Sequence, residues 1–334
     1  MRGEKINIIE MKELTKVYRL FEKEAGFKGS LKSLFNRKYI EKKAVSEFDL
    51  TVNKVEFTGL IGRNGAGKTT LIKMLTGIIA PSSGSLSVMG YSPNKLENEF
   101  KKRYAVVMGQ KSQLFFELTP ADTFMLFKEL YDIPTEEYKK NIEYFTELFD
   151  VARHMNVQVR TLSLGERMKM ELITALLHNP EILFLDEPTI GLDAVAQKQI
   201  RHFLKEINRT KGTTIILTSH YMEDIKSLCN RCIVVENSKK IYDGKTDVLF
   251  EKFQLYKKIV VSFEEETSVT LPEDFEILEE TLYKISFVIP KEKTRETVKE
   301  FFENYKVKDI AIEEEDIGNV VERIYKEGSG NYYG

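Results

Sequence analysis

Short apolar runs alternate with helix-periodic segments along the first two-thirds of the chain. Phe57–Ile61, Ile182–Leu185 and Thr214–Leu217 are compact apolar runs, each followed by a polar or Gly-rich turn. That texture suits strands buried on both faces of a largely parallel sheet. Between Pro120 and Thr161 the period becomes helical, with Phe124, Phe127 and Leu130 along one stripe. The pattern predicts an α/β core over residues 1–245, interrupted by a helical subdomain at about residues 112–165.

After Thr246 the texture changes. Ile259–Phe263, Tyr283–Ile289 and Val307–Ile312 read as strands, and Thr294–Tyr305 and Ile317–Tyr325 as helices. Residues 246–334 are therefore expected to form a small α/β domain of ferredoxin-like type, with a frayed tail from Gly328 to Gly334. Residues 22–43 form a basic, Gly-punctuated insertion whose Leu31, Leu34 and Phe35 could share one apolar face beside Lys32, Arg37 and Lys38. A surface helix packed on its own core is the plain expectation. Docking on a membrane surface or a partner is the sharper one.

Composition narrows the options. Lys+Arg 50 against Asp+Glu 52 gives a formal charge of -2, which argues against bulk electrostatic binding of nucleic acid. No run approaches the roughly 18–20 apolar residues of a spanning helix, and Met1-Arg2-Gly3-Glu4-Lys5 is not followed by the apolar segment of a secretory signal. Any membrane crossing is expected to come from another polypeptide. The two cysteines, Cys229 and Cys232, stand as C-x-x-C without nearby histidines to complete a zinc site. They read as a reduced pair at a helix-to-strand junction, consistent with a cytosolic setting.

Two motifs carry the chemistry. Gly62-Arg63-Asn64-Gly65-Ala66-Gly67-Lys68-Thr69 matches G-x-x-x-x-G-K-[ST], follows a predicted strand and opens, through Thr70, a helical run that stops at Gly77. Glycines let successive N–H groups curl around an anion, and the helix points its positive end at the same place. Lys68 is the candidate charge for β- and γ-phosphates and Thr69 the candidate hydroxyl for Mg²⁺. The second motif is Ile182–Leu185 followed by Asp186, Glu187 and Pro188. It places two acids at the C-terminal end of a buried strand, where open α/β sheets bind ligands. Asp186 is the candidate for Mg²⁺ and Glu187 for the attacking water. Ser163 to Glu166 is S-x-x-E before a helix with Met170, Ile173 and Leu177 on one face, a capping box.

In this order the motifs resemble those of ATP-binding cassette ATPases, over roughly residues 10–245. The resemblance implies a P-loop NTPase core with antiparallel β and helical subdomains, and it implies further roles. Gln110 resembles the Q-loop glutamine, linking Mg²⁺ and water to the helical subdomain. Leu162-Ser163-Leu164-Gly165-Glu166 resembles the family signature, and Asp193 in Gly191-Leu192-Asp193 the D-loop. His220 resembles the switch histidine at the γ-phosphate, and Tyr18 the aromatic that stacks on adenine. The sequence departs from the common pattern at Leu164 (usually glycine), Glu166 (usually glutamine), Arg63 (often proline) and Val55 (often glycine).

The resemblance further implies MgATP-driven closure of two cassettes, with the Ser163–Glu166 helix start facing the nucleotide of a second ATPase subunit. It also implies a separate transmembrane permease, export as the direction, and a place at the cytoplasmic face of the membrane. Phe115 and Phe116 are expected either in the core or against the permease. A soluble cassette acting on ribosomes or DNA is the alternative class, disfavoured by a single cassette and the lack of a long coiled coil. A regulatory ATP-binding module with a ligand-sensing C-terminal domain is the third.

Overall fold

The computed structural model describes residues 6–22, 38–109, 111–219, 221–253, 255–272, 274–315 and 317–328. Gln110, His220 and the tail from 329 lie outside the described residues, as does the expected apolar face of Leu31, Leu34 and Phe35 with its basic neighbours. Residues 38–43, inside the insertion, are strand rather than helix.

The chain divides into two compact units, with the second starting at Lys245. In the first, β1 (Asn7–Glu22) and β2 (Lys38–Asn53) pair antiparallel as two 16-residue strands. Neither was expected from the hydrophobic pattern. Their register shifts four times, between Asn7 and Val17, and Glu13 and Glu47 take positive φ of 50° and 47°. Such bulges break the period-2 alternation by which a strand is read.

The turn after β2 leads into β3 (Phe57–Ile61), whose five residues are all buried. The phosphate-loop motif then opens α1 (Lys68–Leu75). Next come β4 (Ser83–Val88), which pairs with β1, the short α2 (Asn98–Lys101) and β5 (Tyr104–Met108). The helical segment holds α3 (Pro120–Leu130), α4 (Thr135–Phe149) and α5 (Leu164–Leu176). The expected α3 stripe is only partly internal: Phe124 is buried, but Leu130 is 65% exposed. Met170, Ile173 and Leu177 are fully buried, as the period around α5 predicts.

The chain returns to the core with β6 (Ile182–Asp186), α6 (Ala194–Lys211), β7 (Thr214–Thr218), α7 (Met222–Leu228), β8 (Arg231–Glu236) and β9 (Lys239–Lys245). The main sheet runs β5-β6-β7-β3-β8-β9, with parallel pairing from β5 through β8. Apolar residues of both sheets meet around α1 in one core that includes Ile9, Phe48, Ile72, Phe184 and Val235. The C-terminal ends of β3 and β6 therefore open at the same edge, where parallel α/β sheets gather their ligands. Cys229 and Cys232 are buried thiols that are not joined in a disulfide.

The second unit comprises α8 (Thr246–Phe253), β10 (Tyr256–Phe263), β11 (Glu276–Thr281), β12 (Lys284–Pro290), α9 (Thr294–Asn304), β13 (Val307–Glu314) and α10 (Ile317–Gly328). Its antiparallel sheet is ordered β11-β12-β10-β13 around Ile259, Val261, Phe287 and Phe301. A ferredoxin-like unit runs β-α-β-β-α-β. Here the first crossover carries no helix among its described residues, and a helix follows the last strand instead. The crossover sequence Glu264-Glu265-Glu266, with Pro272 further on, offers no apolar helical stripe. Strand β11 was not anticipated because all six of its residues are exposed, which leaves no alternation to read.

Val55, in the turn between β2 and β3, takes φ 65°. Its N–H donates to Thr214 Oγ1 at 2.9 Å, and its carbonyl accepts from Asn208 Nδ2 at 3.0 Å, so the turn is held open for it. A β-branched residue in the left-handed region is strained by about 1–2 kcal/mol. Val55→Gly should therefore raise stability by up to about 1 kcal/mol after glycine's entropic cost, read as a higher urea midpoint at unchanged slope.

Candidate active site

The loop joining β3 to α1 is shaped by what glycine lacks. A Cβ on Gly62 would sit 2.2 Å from the Val235 carbonyl oxygen, and one on Gly67 2.2 Å from that of Ala44. Gly67 also takes φ 116° and Gly65 φ 82°, though nothing crowds Gly65. The loop is thus pressed against β2 and β8 and closes on itself where the Ala66 N–H donates to the Arg63 carbonyl at 3.1 Å, a glycine-rich turn at a helix start of the kind that receives anions. Ala66 and Lys68 are buried, whereas Asn64 and Thr69 are exposed.

Lys68 donates to the carbonyls of Gly62 at 2.6 Å and Arg63 at 3.2 Å. Burial lowers its pKa, against the pull of Glu187, Asp186 and Glu236. Thr69 Oγ1 donates to Asp186 Oδ2 at 2.9 Å. Thr218, at the end of β7, holds both acids: its hydroxyl donates to Asp186 Oδ1 at 2.7 Å and accepts from Glu187 N at 3.1 Å. Glu187 takes φ 57° just beyond β6. Such a backbone is uncommon for a non-glycine residue and persists only where its surroundings fix it.

Lys68, Thr69, Asp186 and Glu187 line a cavity of about 610 Å³, together with Tyr18, Lys42, Thr70, Lys73, Gly109 and Lys111. Tyr18 reaches the cavity because it pairs with Lys42 across β1 and β2. Lys42 stands near the end of the 22–43 insertion, so the chain returns to Tyr18 and the extra residues do not carry it away. Sequence reasoning missed Thr218 and the cavity lysines. The Thr218-Ser219 pair before His220 was the available signal for the first; the lysines, scattered along the chain, had none.

The second candidate cluster lies elsewhere. Ser163 caps α5 in a reciprocal box with Glu166. Glu166 Oε2 accepts from Ser163 N at 2.9 Å and from its hydroxyl at 2.8 Å, while Oε1 lies 3.1 Å from His154 Nε2. The Ser163 backbone N–H and hydroxyl, with the charges of His154 and Arg153, hold this carboxyl below its ordinary pKa. Asp193 caps α6, accepting from Val195 N and Ala196 N at 2.9 Å. A Cβ on Gly165 would come within 2.9 Å of Ala196 Cβ, which explains the glycine where α5 meets the start of α6. Ser163, Gly165, Glu166 and Asp193 line a separate cavity of about 230 Å³ that shares no lining residue with the first.

The sequence profile described as ABC transporter matches residues 45–190. The ABC transporter ATP-binding protein NatA of Bacillus subtilis is 35% identical over 209 residues, covering 63% of this chain and 85% of that protein. The chain belongs to the ABC transporter ATP-binding proteins. The Nod factor export ATP-binding protein I of Burkholderia thailandensis is 34% identical, over 64% of this cassette protein and 70% of that one. The methionine import ATP-binding protein MetN 2 of Enterococcus faecalis is 30% identical, over 67% and 66%. A solved ATP binding subunit of an ABC transporter superposes with a TM-score of 0.60 at 24% identity, covering 74% of this chain and 93% of that one. The protein is accordingly an ABC-type ATPase, the ATP-binding subunit of a transporter. No helix among its described residues is long and apolar enough to cross a membrane.

The two loop glycines give a contrast. Gly67→Ala forces a Cβ onto the Ala44 carbonyl as well as straining φ, and should destabilise the nucleotide-free cassette by more than about 2 kcal/mol. Gly65→Ala meets open space and should cost about 1 kcal/mol. Urea denaturation of the two variants tests the ordering.

Proposed function

We propose that this subunit works as one half of a pair of cassettes that close on two MgATP molecules and drive a separate membrane permease in the direction of export. The observation that carries the pairing is the separation of the two cavities. The α5 start, with Ser163, Gly165 and a helix N-terminus suited to an anion, does not line its own chain's phosphate cavity. A second cassette presenting that start to this chain's phosphate loop would complete the site.

Within each site the residues divide the work. Gly62, Asn64, Gly65, Ala66 and Gly67 shape the cradle, and Thr70 continues it into α1. Lys68 exchanges its loop carbonyls for phosphate oxygens, a charge-assisted contact in place of a neutral one. Thr69 and Asp186 place hard oxygen donors side by side and suit Mg²⁺, which would neutralise developing phosphate charge. Tyr18 offers a ring to the adenine. Glu187 orients and deprotonates the attacking water, with Thr218 fixing its backbone. Gln110 and His220, outside the described residues, are assigned to the Mg²⁺-linked water and the γ-phosphate.

Glu166 need not repel the nucleotide. Both its oxygens are engaged by Ser163 and His154, so its charge turns back onto its own helix cap. Phe115 and Phe116 are 49% and 47% exposed, which favours the permease-facing expectation over the core. Contact with the permease places the subunit at the cytoplasmic face of the membrane. Export is supported by the resemblance at Leu162–Asp193 and by the name of the Nod factor relative; the import relative is the reason it stands as a proposal. Nucleic acid is not among the proposed partners.

Glu187→Gln should retain ATP binding while turnover falls by about 10²–10⁴-fold, the usual contribution of a positioned base. With hydrolysis blocked, light scattering should show an ATP-dependent dimer absent from the unmutated protein. Near-normal turnover in Glu187→Gln would remove the base assignment, and a persistent monomer would remove self-pairing.

A further inference from the structure

A buried carboxylate on α5 has no part in the chemistry above. Glu171 lies in the interior of α5, beyond Glu166, and is 4% exposed. Among the described residues, its hydrogen-bond donors come from one short segment, Ser112 to Leu114, that follows the phosphate cavity's edge. Oε1 accepts from the Ser112 hydroxyl in a short hydrogen bond, from Gln113 N at 3.0 Å and from Leu114 N at 3.4 Å. Oε2 also accepts from Gln113 N at 3.0 Å. Burial raises the pKa of Glu171, and these donors together with the Arg167 charge oppose that rise.

The same segment is anchored on its other side. Gln113 Nε2 donates to the Val106 carbonyl at 2.8 Å, within β5. Lys111 N donates to Met108 O at 2.8 Å, and Gly109 N to Asp186 O at 2.9 Å. Met108, Gly109 and Lys111 line the phosphate cavity. Hydrogen bonds thus fix Gly109 to the strand end bearing Asp186, Lys111 to Met108, and residues 112–114 to the middle of α5. The capped start of that helix carries Ser163 and Gly165. A carboxylate receiving several N–H and O–H donors at low exposure is costly to disturb piecemeal, so the segment and helix shift together or not at all.

We infer that Glu171 is a positioning residue that ties residues 112–114 to α5, so that nucleotide at the phosphate cavity is felt at the Ser163–Gly165 helix start of the same chain. The inference rests on the ATP-closing reading, but it concerns transmission within one chain rather than pairing of two. Substitution should leave nucleotide affinity intact while uncoupling the far end of the path.

The test is hydrogen exchange on the full-length protein with and without MgATP, with calorimetric ATP affinity measured in parallel, for the unmutated chain, Glu171→Ala, Glu171→Gln and Ser112→Ala. Without its acceptor, the amides of Gln113 and Leu114 should exchange at least about tenfold faster in Glu171→Ala, the loss expected for bonds to a charged group. MgATP should alter protection across Ser163–Arg167 in the unmutated chain, and this response should vanish in Glu171→Ala with the ATP Kd within about threefold, the span of a loss below ~1 kcal/mol. Glu171→Gln and Ser112→Ala, milder lesions that carry the test should the alanine variant fail to fold, should show a weakened response. A full response at α5 in all folded variants overturns the assignment, as does its absence from the unmutated chain that binds MgATP. Failure of the unmutated chain to bind MgATP at all overturns the functional reading and this inference together.

Discussion

A lysine ammonium held inside a fold, at 6% exposure, organises this cassette. Taking Lys68 out of water is costly unless charge and hydrogen bonds replace the solvent. The surroundings supply both: the carbonyls of Gly62 and Arg63 accept from it, and Glu187, Asp186 and Glu236 supply opposite charge. Meeting those demands requires the ends of β3, β6 and β8 to open at one edge, which the parallel order β6-β7-β3-β8 provides. It also requires glycine at positions 62 and 67, where the loop presses on Val235 and Ala44. Two of those acids, Asp186 and Glu187, are the ones proposed for Mg²⁺ and the attacking water. Thr218 binds both, so stability and the proposed chemistry draw on the same hydrogen bonds.

Much of this was legible because it is local. A continuous apolar run announces a strand buried on both faces, and β3, β6 and β7 were read that way. The phosphate loop was read from its glycines, and the α5 capping box from Ser163 and Glu166, because each motif closes on itself within a few residues. What escaped depends on pairing across the chain. The β1–β2 hairpin hides behind bulges at Glu13 and Glu47, and β11 is exposed along its whole length. Lys42 reaches the phosphate cavity only because β2 folds against β1. The partnership of His154 with Glu166 likewise joins residues 12 apart whose spacing follows no period.

Two of the four departures from the common family pattern, at Val55 and Glu166, differ in kind. Val55 is a backbone strain, tolerated in a turn secured by Thr214 and Asn208. Glu166 is an electrostatic change accommodated locally by His154 and by the helix cap. Neither touches the cradle around Lys68, which fits a chain that keeps the acids proposed for hydrolysis. The two cavities of one chain share no lining residue, and the bonds of Gly109 to Asp186 and of residues 112–114 to Glu171 lie between the strand end at Asp186 and α5.

The central role of Lys68 is tested most directly by calorimetric titration of MgATP into the unmutated protein and into Lys68→Ala. Saturable 1:1 binding is predicted for the first. With the buried charge gone, the second should bind at least about a hundredfold more weakly, the cost of losing a desolvated charge-assisted contact of some 3 kcal/mol. Equal affinity in the two proteins would contradict this role, because the nucleotide would then not be held at the Gly62–Thr69 loop.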